Sequence, residues 1–336
     1  MIDTLTHCVS CDLGSPTTWN AASPVNWWAT GTSLCPRFCM VIHLLNLLEG
    51  FNRHPFLKGR LALKGGTALN LFLLDVPRLS VDIDLNYVGA TDRDTMMAER
   101  PKIEQAIHAV CSREGMNIVR VPTDYAGGKW RLRYESALGE GGNLEVDLNF
   151  MFRVPLWAVT SRSATVGSYA ATQISVLDLH ELAAGKFAAL LSRRASRDLF
   201  DAHQLLARGD LDMTKLRLGF VLYGAMNRKD WRTVAIDDVG YDHRELENEL
   251  IPVVRNEYLA RRKAGDWAEV MIAECRDGLG VVLPLAVNEI DFLDRLLDHG
   301  EIRPELITAD SAMSERINTH PLLLWKAQNV RQFKNK

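Results

Sequence analysis

The hydrophobic pattern changes period along this chain, and the changes mark out its parts. Residues 1–35, rich in Thr, Ser, Asn, Gly and Pro, hold no sustained period and read as a loosely ordered extension. From Pro36 to Gly50 apolar residues recur at helical spacing, predicting a packing helix stopped by Gly50. A short strand Leu61–Lys64 and a helix Thr67–Leu74 follow. Ser80-Val81-Asp82-Ile83-Asp84-Leu85 then alternates polar with apolar, as a half-buried strand over 80–87 does. Residues 92–114 predict an amphipathic helix, 117–122 a strand, and Lys129–Tyr134 an alternating strand that turns at Gly139–Gly142 into a strand Asn143–Phe150. Short strands around Val154–Trp157 and Gln173–Val176 complete an α+β region, 36–177. From Asp178 the period is helical, with helices over 178–191, 196–206, 242–263, 267–276 and 289–299, which predicts a mainly α-helical region 178–336.

The chemistry gathers in Leu63–Asn86. Side chains two apart on a strand share a face, so Asp82 and Asp84 point the same way. Neighbouring carboxylates repel, and a divalent cation relieves the repulsion; Mg²⁺ is bound through one or two carboxylates plus substrate phosphates. Gly65 and Gly66 allow close backbone approach at a helix start that attracts anions, and Lys64 and Thr67 add a charge and a hydroxyl. A phosphate cradle beside paired carboxylates is the layout of phosphoryl transfer. No G-x-x-x-x-G-K-[ST] is present, which excludes the P-loop reading of these glycines. Lys129 and Arg133 share a strand face and read either as a triphosphate clamp or as a solvated face. Ser80 reads as a phosphate or metal contact or as an ordinary strand hydrogen bond. Arg78 reads as a phosphate ligand or as a partner of Asp75.

Gly-Gly-Thr, a helix, then Ser-x-Asp-x-Asp resembles the signature of the DNA polymerase β-like nucleotidyltransferases. The fuller LKGGTAL…RLSVDIDL resembles the AbiEii/AbiGii (MenT-like) toxins. The resemblance implies a nucleotidyltransferase domain with a mixed sheet, and transfer of a nucleoside monophosphate from an NTP, with Mg²⁺ or Mn²⁺, to an acceptor hydroxyl. It implies a third carboxylate on a strand beside the Asp-x-Asp strand, for which Asp147 is the candidate and Glu145 the reserve. It also implies a later motif of a helix lysine, a basic loop and Arg-Asp-x-x-Asp. Lys186, Arg197 and Asp198 match it, with an ion-pair network as the alternative for Arg197, Asp198 and Asp201. The acceptor it points to is the 3′ end of tRNA, with a cognate antitoxin encoded nearby and no DNA partner. Transfer to a protein hydroxyl, or nucleotide or RNA binding without turnover, are the competing readings.

Composition changes this little. With 24% charged residues, 47% hydrophobic and a net charge of −3, nucleic acid must be met by local basic patches; Arg255–Lys263 and the tail from Lys326 to Lys336 are candidates. No long apolar run predicts a membrane span and no leader is visible, so a cytoplasmic location is expected. The six cysteines then read as reduced thiols, with Cys8, Cys11, Cys35 and Cys39 the alternative of a zinc site.

Overall fold

The computed structural model describes residues 34–124, 126–135, 141–259 and 263–334. Cys8, Cys11, Arg261, Arg262 and Lys336 lie outside them, as does the first half of the expected Gly139–Gly142 turn; Cys39 is a buried thiol.

Helix α1 (Leu34–Arg53) buries Val41, Leu44, Leu45, Leu48 and Phe51. It does not stop at Gly50. A Cβ there would meet Val110 Cγ1 at 2.8 Å, so that glycine serves close packing on α3 (Arg93–Arg113) instead. Between these helices run β1 (Leu61–Lys64), the short α2 (Gly65–Thr67), which passes directly into a π-helical segment Ala68–Leu73, and β2 (Asp82–Tyr87). Then come β3 (Asn117–Arg120), β4 (Gly127–Glu135), β5 (Gly141–Asn149), β6 (Thr160–Val166) and β7 (Tyr169–Val176).

The seven strands form one sheet in the order β3-β4-β5-β2-β1-β7-β6. It is mixed: β2 runs parallel to β5 and β1 to β7, while β1–β2, β3–β4, β4–β5 and β6–β7 are antiparallel. One face carries Ile83, Trp130, Leu132, Tyr134 and Val146 into the core beneath α1, whose His43 ring lies 4.0 Å from that of Tyr134. The other face of β2, β5 and β4 is charged. No strand forms at 154–157; the chain there is irregular, and the Leu156 N–H is bonded to a side chain, Glu181 Oε2, at 3.0 Å.

The C-terminal part is helical: α4 (Leu179–Arg193), α5 (Ser196–Ala207), α6 (Met213–Ala225), α7 (His243–Glu245), α8 (Asn256–Leu259), α9 (Ala264–Gly278), α10 (Val287–Asp294), α11 (Ser311–Thr319) and α12 (Pro321–Lys334). Asp178 caps α4 through the His180 N–H. The long helix expected over 242–263 is broken. Pro252 has no N–H for a helical ladder, and the backbone around it pairs elsewhere: Leu79 N to Val253 O at 2.9 Å and Arg255 N to Pro77 O at 3.0 Å. This pins the 242–255 segment across the entry to β2. No described helix is long and apolar enough to cross a membrane.

Candidate active site

Register assembles the site. Lys64 on β1 stands across from Asp84 on β2, Asp84 across from Asp147 on β5, and Asp147 across from Lys129 on β4. Cross-strand partners share a face, so the sheet carries a row of two carboxylates flanked by two ammonium groups. The adjoining row is Asp82, Glu145 and Arg131. The first row and Asp82 of the second open into a cleft of about 930 Å³ whose far wall comes from α4, α5 and the 242–249 segment.

The carboxylates are set apart by their partners. Burial and then Asp84 raise the Asp82 pKa; burial also raises that of Asp147, with Asp84 adding to it against Lys64. Glu145 goes the other way, held down by Lys129 at 2.8 Å and Arg131 at 3.3 Å. Asp147 is therefore the better proton acceptor of the two. Lys129, tied to Glu145, lies at the cleft mouth. Arg133 is not brought to the cluster: it stands across from Asn143, four positions further along β4.

The Gly-Gly turn fits a cation beside Asp84. Gly65 has φ +72°, and a Cβ on it would lie 2.1 Å from Asp84 Oδ2, so only glycine leaves that oxygen open. Among the described residues no three His, Cys, Asp or Glu side chains close around one point. Asp82, Asp84 and Asp147, from two adjoining rows, line the open cleft, which suits an ion completed by ligands from a substrate. Gly66 makes room for Arg78 Nη2 and Ser80 Oγ, which a Cβ at that position would meet at 2.7 and 3.1 Å. Ser80 precedes β2 rather than opening it. Thr67 Oγ1 donates to the Asp82 carbonyl at 2.5 Å and shares a 2.9 Å hydrogen bond with Ser80 Oγ, so its hydroxyl faces inward and holds the start of β2.

Behind the turn lies a buried charge network. Arg78 grips Asp201 with two bonds of 2.7 Å; Lys186 Nζ reaches Asp198 at 2.8 Å and Asp201 at 2.9 Å; Arg193 Nε reaches Asp198 at 2.6 Å. Asn70 adds a 2.9 Å bond to Asp201. Burial opposes charge on both aspartates, but the cations win and hold the two pKa values low. Arg78 thus pairs with Asp201 rather than Asp75, and Lys186 and Asp198 are engaged with each other. Asp201 is the residue whose importance the sequence underplays; its spacing, one helical turn after Asp198, is the available signal. Arg197 reaches the rim, with Nη1 3.8 Å from Asp82 and contacts of 3.1 Å to Glu245 and Glu249, and the exposed Arg193 lines the cleft beside it.

Two features have no trace in the motifs. Glu181 lies on the cleft floor, accepting from Leu156 N and from Tyr223 OH, and burial pushes its pKa up to about 8. Lys326 is turned inward, donating to the carbonyls of Ala225 and Asn227 at 2.7 and 2.6 Å to cap α6. Arg255 likewise bonds the Asp75 carbonyl at 2.7 Å. These two side chains of the expected basic patches are committed to the fold.

A profile of the family described as "Nucleotidyl transferase AbiEii toxin, Type IV TA system" matches residues 46–273. Among solved structures the chain is similar to MenT4, a nucleotidyltransferase toxin from Mycobacterium tuberculosis H37Rv, at 17% identity and a TM-score of 0.48, over 86% of this chain and 98% of that one. No curated protein sequence matches the chain.

Proposed function

Because the chain belongs to the AbiEii family of nucleotidyltransferase toxins of type IV toxin–antitoxin systems, we propose that it moves a nucleoside monophosphate from an NTP to the 3′ hydroxyl of tRNA, with Asp82, Asp84 and Asp147 as its working carboxylates. The observation that carries this reading is the in-register row Lys64–Asp84–Asp147–Lys129 beside the Gly65-Gly66 turn.

Asp82 and Asp84 would hold a divalent cation, Mg²⁺ or Mn²⁺, which supplies charge neutralisation at the transferring phosphate. The Gly65 and Gly66 backbone receives the phosphates, and Lys64 and Lys129 offset their charge from either end of the row. Asp147, whose raised pKa suits it to accept a proton, takes the proton of the acceptor hydroxyl as its oxygen attacks the α-phosphorus and pyrophosphate leaves. Arg197 closes the rim over Asp82. Lys186, Asp198, Asp201 and Arg78 act as positioning residues through the glycine turn. An antitoxin encoded beside the gene and a cytoplasmic site of action belong to the same reading.

The test is incubation of the protein with Mg²⁺, each α-³²P-labelled NTP in turn and total tRNA, beside an Asp82→Ala/Asp84→Ala control. Label entering RNA with the wild type alone supports the proposal. Label entering protein instead would move the acceptor to a protein hydroxyl, and equal label with the control would sink the carboxylate assignment.

A further inference from the structure

The charged face of the sheet does not end at the cleft. Along β4 it continues from Lys129 through Arg131 to Arg133, three side chains that alternate with buried Trp130, Leu132 and Tyr134. On the outer side β3 adds Arg120, which stands across from Arg131 after a bulge at Ile118/Arg120. Like charges placed directly opposite one another destabilise a strand pair, so the Arg120–Arg131 pair is unfavourable in the protein by itself. Glu145 is the anion that meets Lys129 and Arg131; among the described residues no ion pair reaches Arg120 or Arg133. A chain of net charge −3 therefore concentrates cations on one exposed strip of sheet, beginning beside Asp147 and running to the edge.

We infer that this strip, Lys129–Arg131–Arg133 with Arg120, is the surface on which the acceptor RNA lies, its phosphates following β4 outward from a 3′ hydroxyl held at Asp147. The inference rests on the proposed RNA acceptor. Three observations favour it. The strip is continuous with Asp147, the carboxylate nearest to β4 of the three. Its site-facing residues advance about 7 Å per step along the strand, which suits the successive phosphates of an extended single strand. Its charge is complementary to a polyanion, and its exposed apolar residues, Val119 and Val121, flank Arg120 at the sheet edge rather than forming the centre that a protein interface would need. On this reading Arg133, which stands across from Asn143 and does not line the cleft, serves the acceptor rather than the triphosphate.

The probe is 5′-fluorescein-labelled deacylated tRNA, followed by anisotropy over a series of salt concentrations, together with transfer kinetics for Arg120→Glu/Arg133→Glu. Both side chains are on exposed strand positions, so the double variant is expected to fold, which circular dichroism checks. The expected result is at least tenfold weaker tRNA binding and a tenfold higher KM for tRNA, with the KM for NTP within twofold of wild type. The log–log salt slope should shrink by about 0.7–0.9 per lost phosphate contact. Unchanged tRNA affinity and slope, with wild type still labelling RNA, would overturn the strip while leaving the function standing. Wild type that labels protein and not RNA would overturn both. A rise in NTP KM equal to that for tRNA would return Arg133 to the triphosphate and also overturn the inference.

Discussion

Lys129 faces Asp147 across the β4–β5 pair, yet its ammonium is bonded to Glu145, 2.8 Å away. Two carboxylates of the same strand are thus shifted in opposite directions, one by its lysine and the other by burial. Glu145 is held low and charged by cations, while Asp147 is raised by burial.

That separation predicts which carboxylate works. Asp147→Asn should lower single-turnover transfer by about a hundredfold or more, the usual loss on removing a general base. Glu145→Gln should leave it within about threefold, since that carboxylate only steers Lys129. The reverse order in rapid-quench measurements would hand the role to Glu145.

Gly65 is the tightest point of the site. Gly65→Ala places a methyl 2.1 Å from Asp84 Oδ2 and forces alanine to φ +72°. A loss of about 1–3 kcal/mol is expected in urea unfolding, with transfer abolished. A variant as active as wild type would show that Asp84 has room to retreat.

The Asp201 network couples stability to acid. Asp201→Ala leaves Arg78 and Lys186 buried without their shared anion, and a cost of about 3–5 kcal/mol follows from removing one partner of a buried pair. The folded pKa values of Asp198 and Asp201 lie below the ordinary 3.8. Their contribution is therefore fully present above about pH 4 and is lost as pH falls through the folded values. Urea midpoints should change little between pH 7 and about 4, then fall steeply below about pH 4 for wild type and much less for Asp201→Ala.

Glu181 acts at the other end of the scale. Its folded pKa is raised from 4.5 to about 8, so the folded protein holds that proton more tightly than the unfolded chain. The resulting stability is complete below pH 4.5 and is lost as pH rises through about 8, a swing on the order of a few kcal/mol. Glu181→Gln should be the more stable protein at pH 9, and its midpoint should be nearly flat between pH 5 and 9. A wild-type midpoint that is itself flat over that range would mean that the carboxyl stays ionised.

The strands of the site were legible because period-two alternation is a local property: Asp82 with Asp84, and Lys129 with Arg131 and Arg133, share faces as the spacing implies. The row they form was not, because register depends on which strands pair, and β2 meets β5 across a sequence gap filled by α3, β3 and β4. Hence Arg133 reads as a clamp in sequence and stands away from the cleft in the fold. Lys186 reads as a lone helix cation because its anions, Asp198 and Asp201, lie on the next helix. The 242–263 segment reads as one helix because its charges recur at helical spacing, whereas Pro252 and the pairing with Pro77–Leu79 decide its backbone. Glu181 carried no signal, since burial is set by what packs around it.

The parallel pairing of β2 with β5 has a temporal consequence. Asp84 and Asp147 meet only after the intervening chain has been threaded into place, and the glycine turn that frames Asp84 leans on Arg78, whose counter-ion Asp201 arrives later still. Contacts of such long sequence separation form slowly. A chain emerging from the ribosome therefore lacks the Asp84–Asp147 pairing until β5 has been made, and lacks the counter-ion of Arg78 until α5 follows.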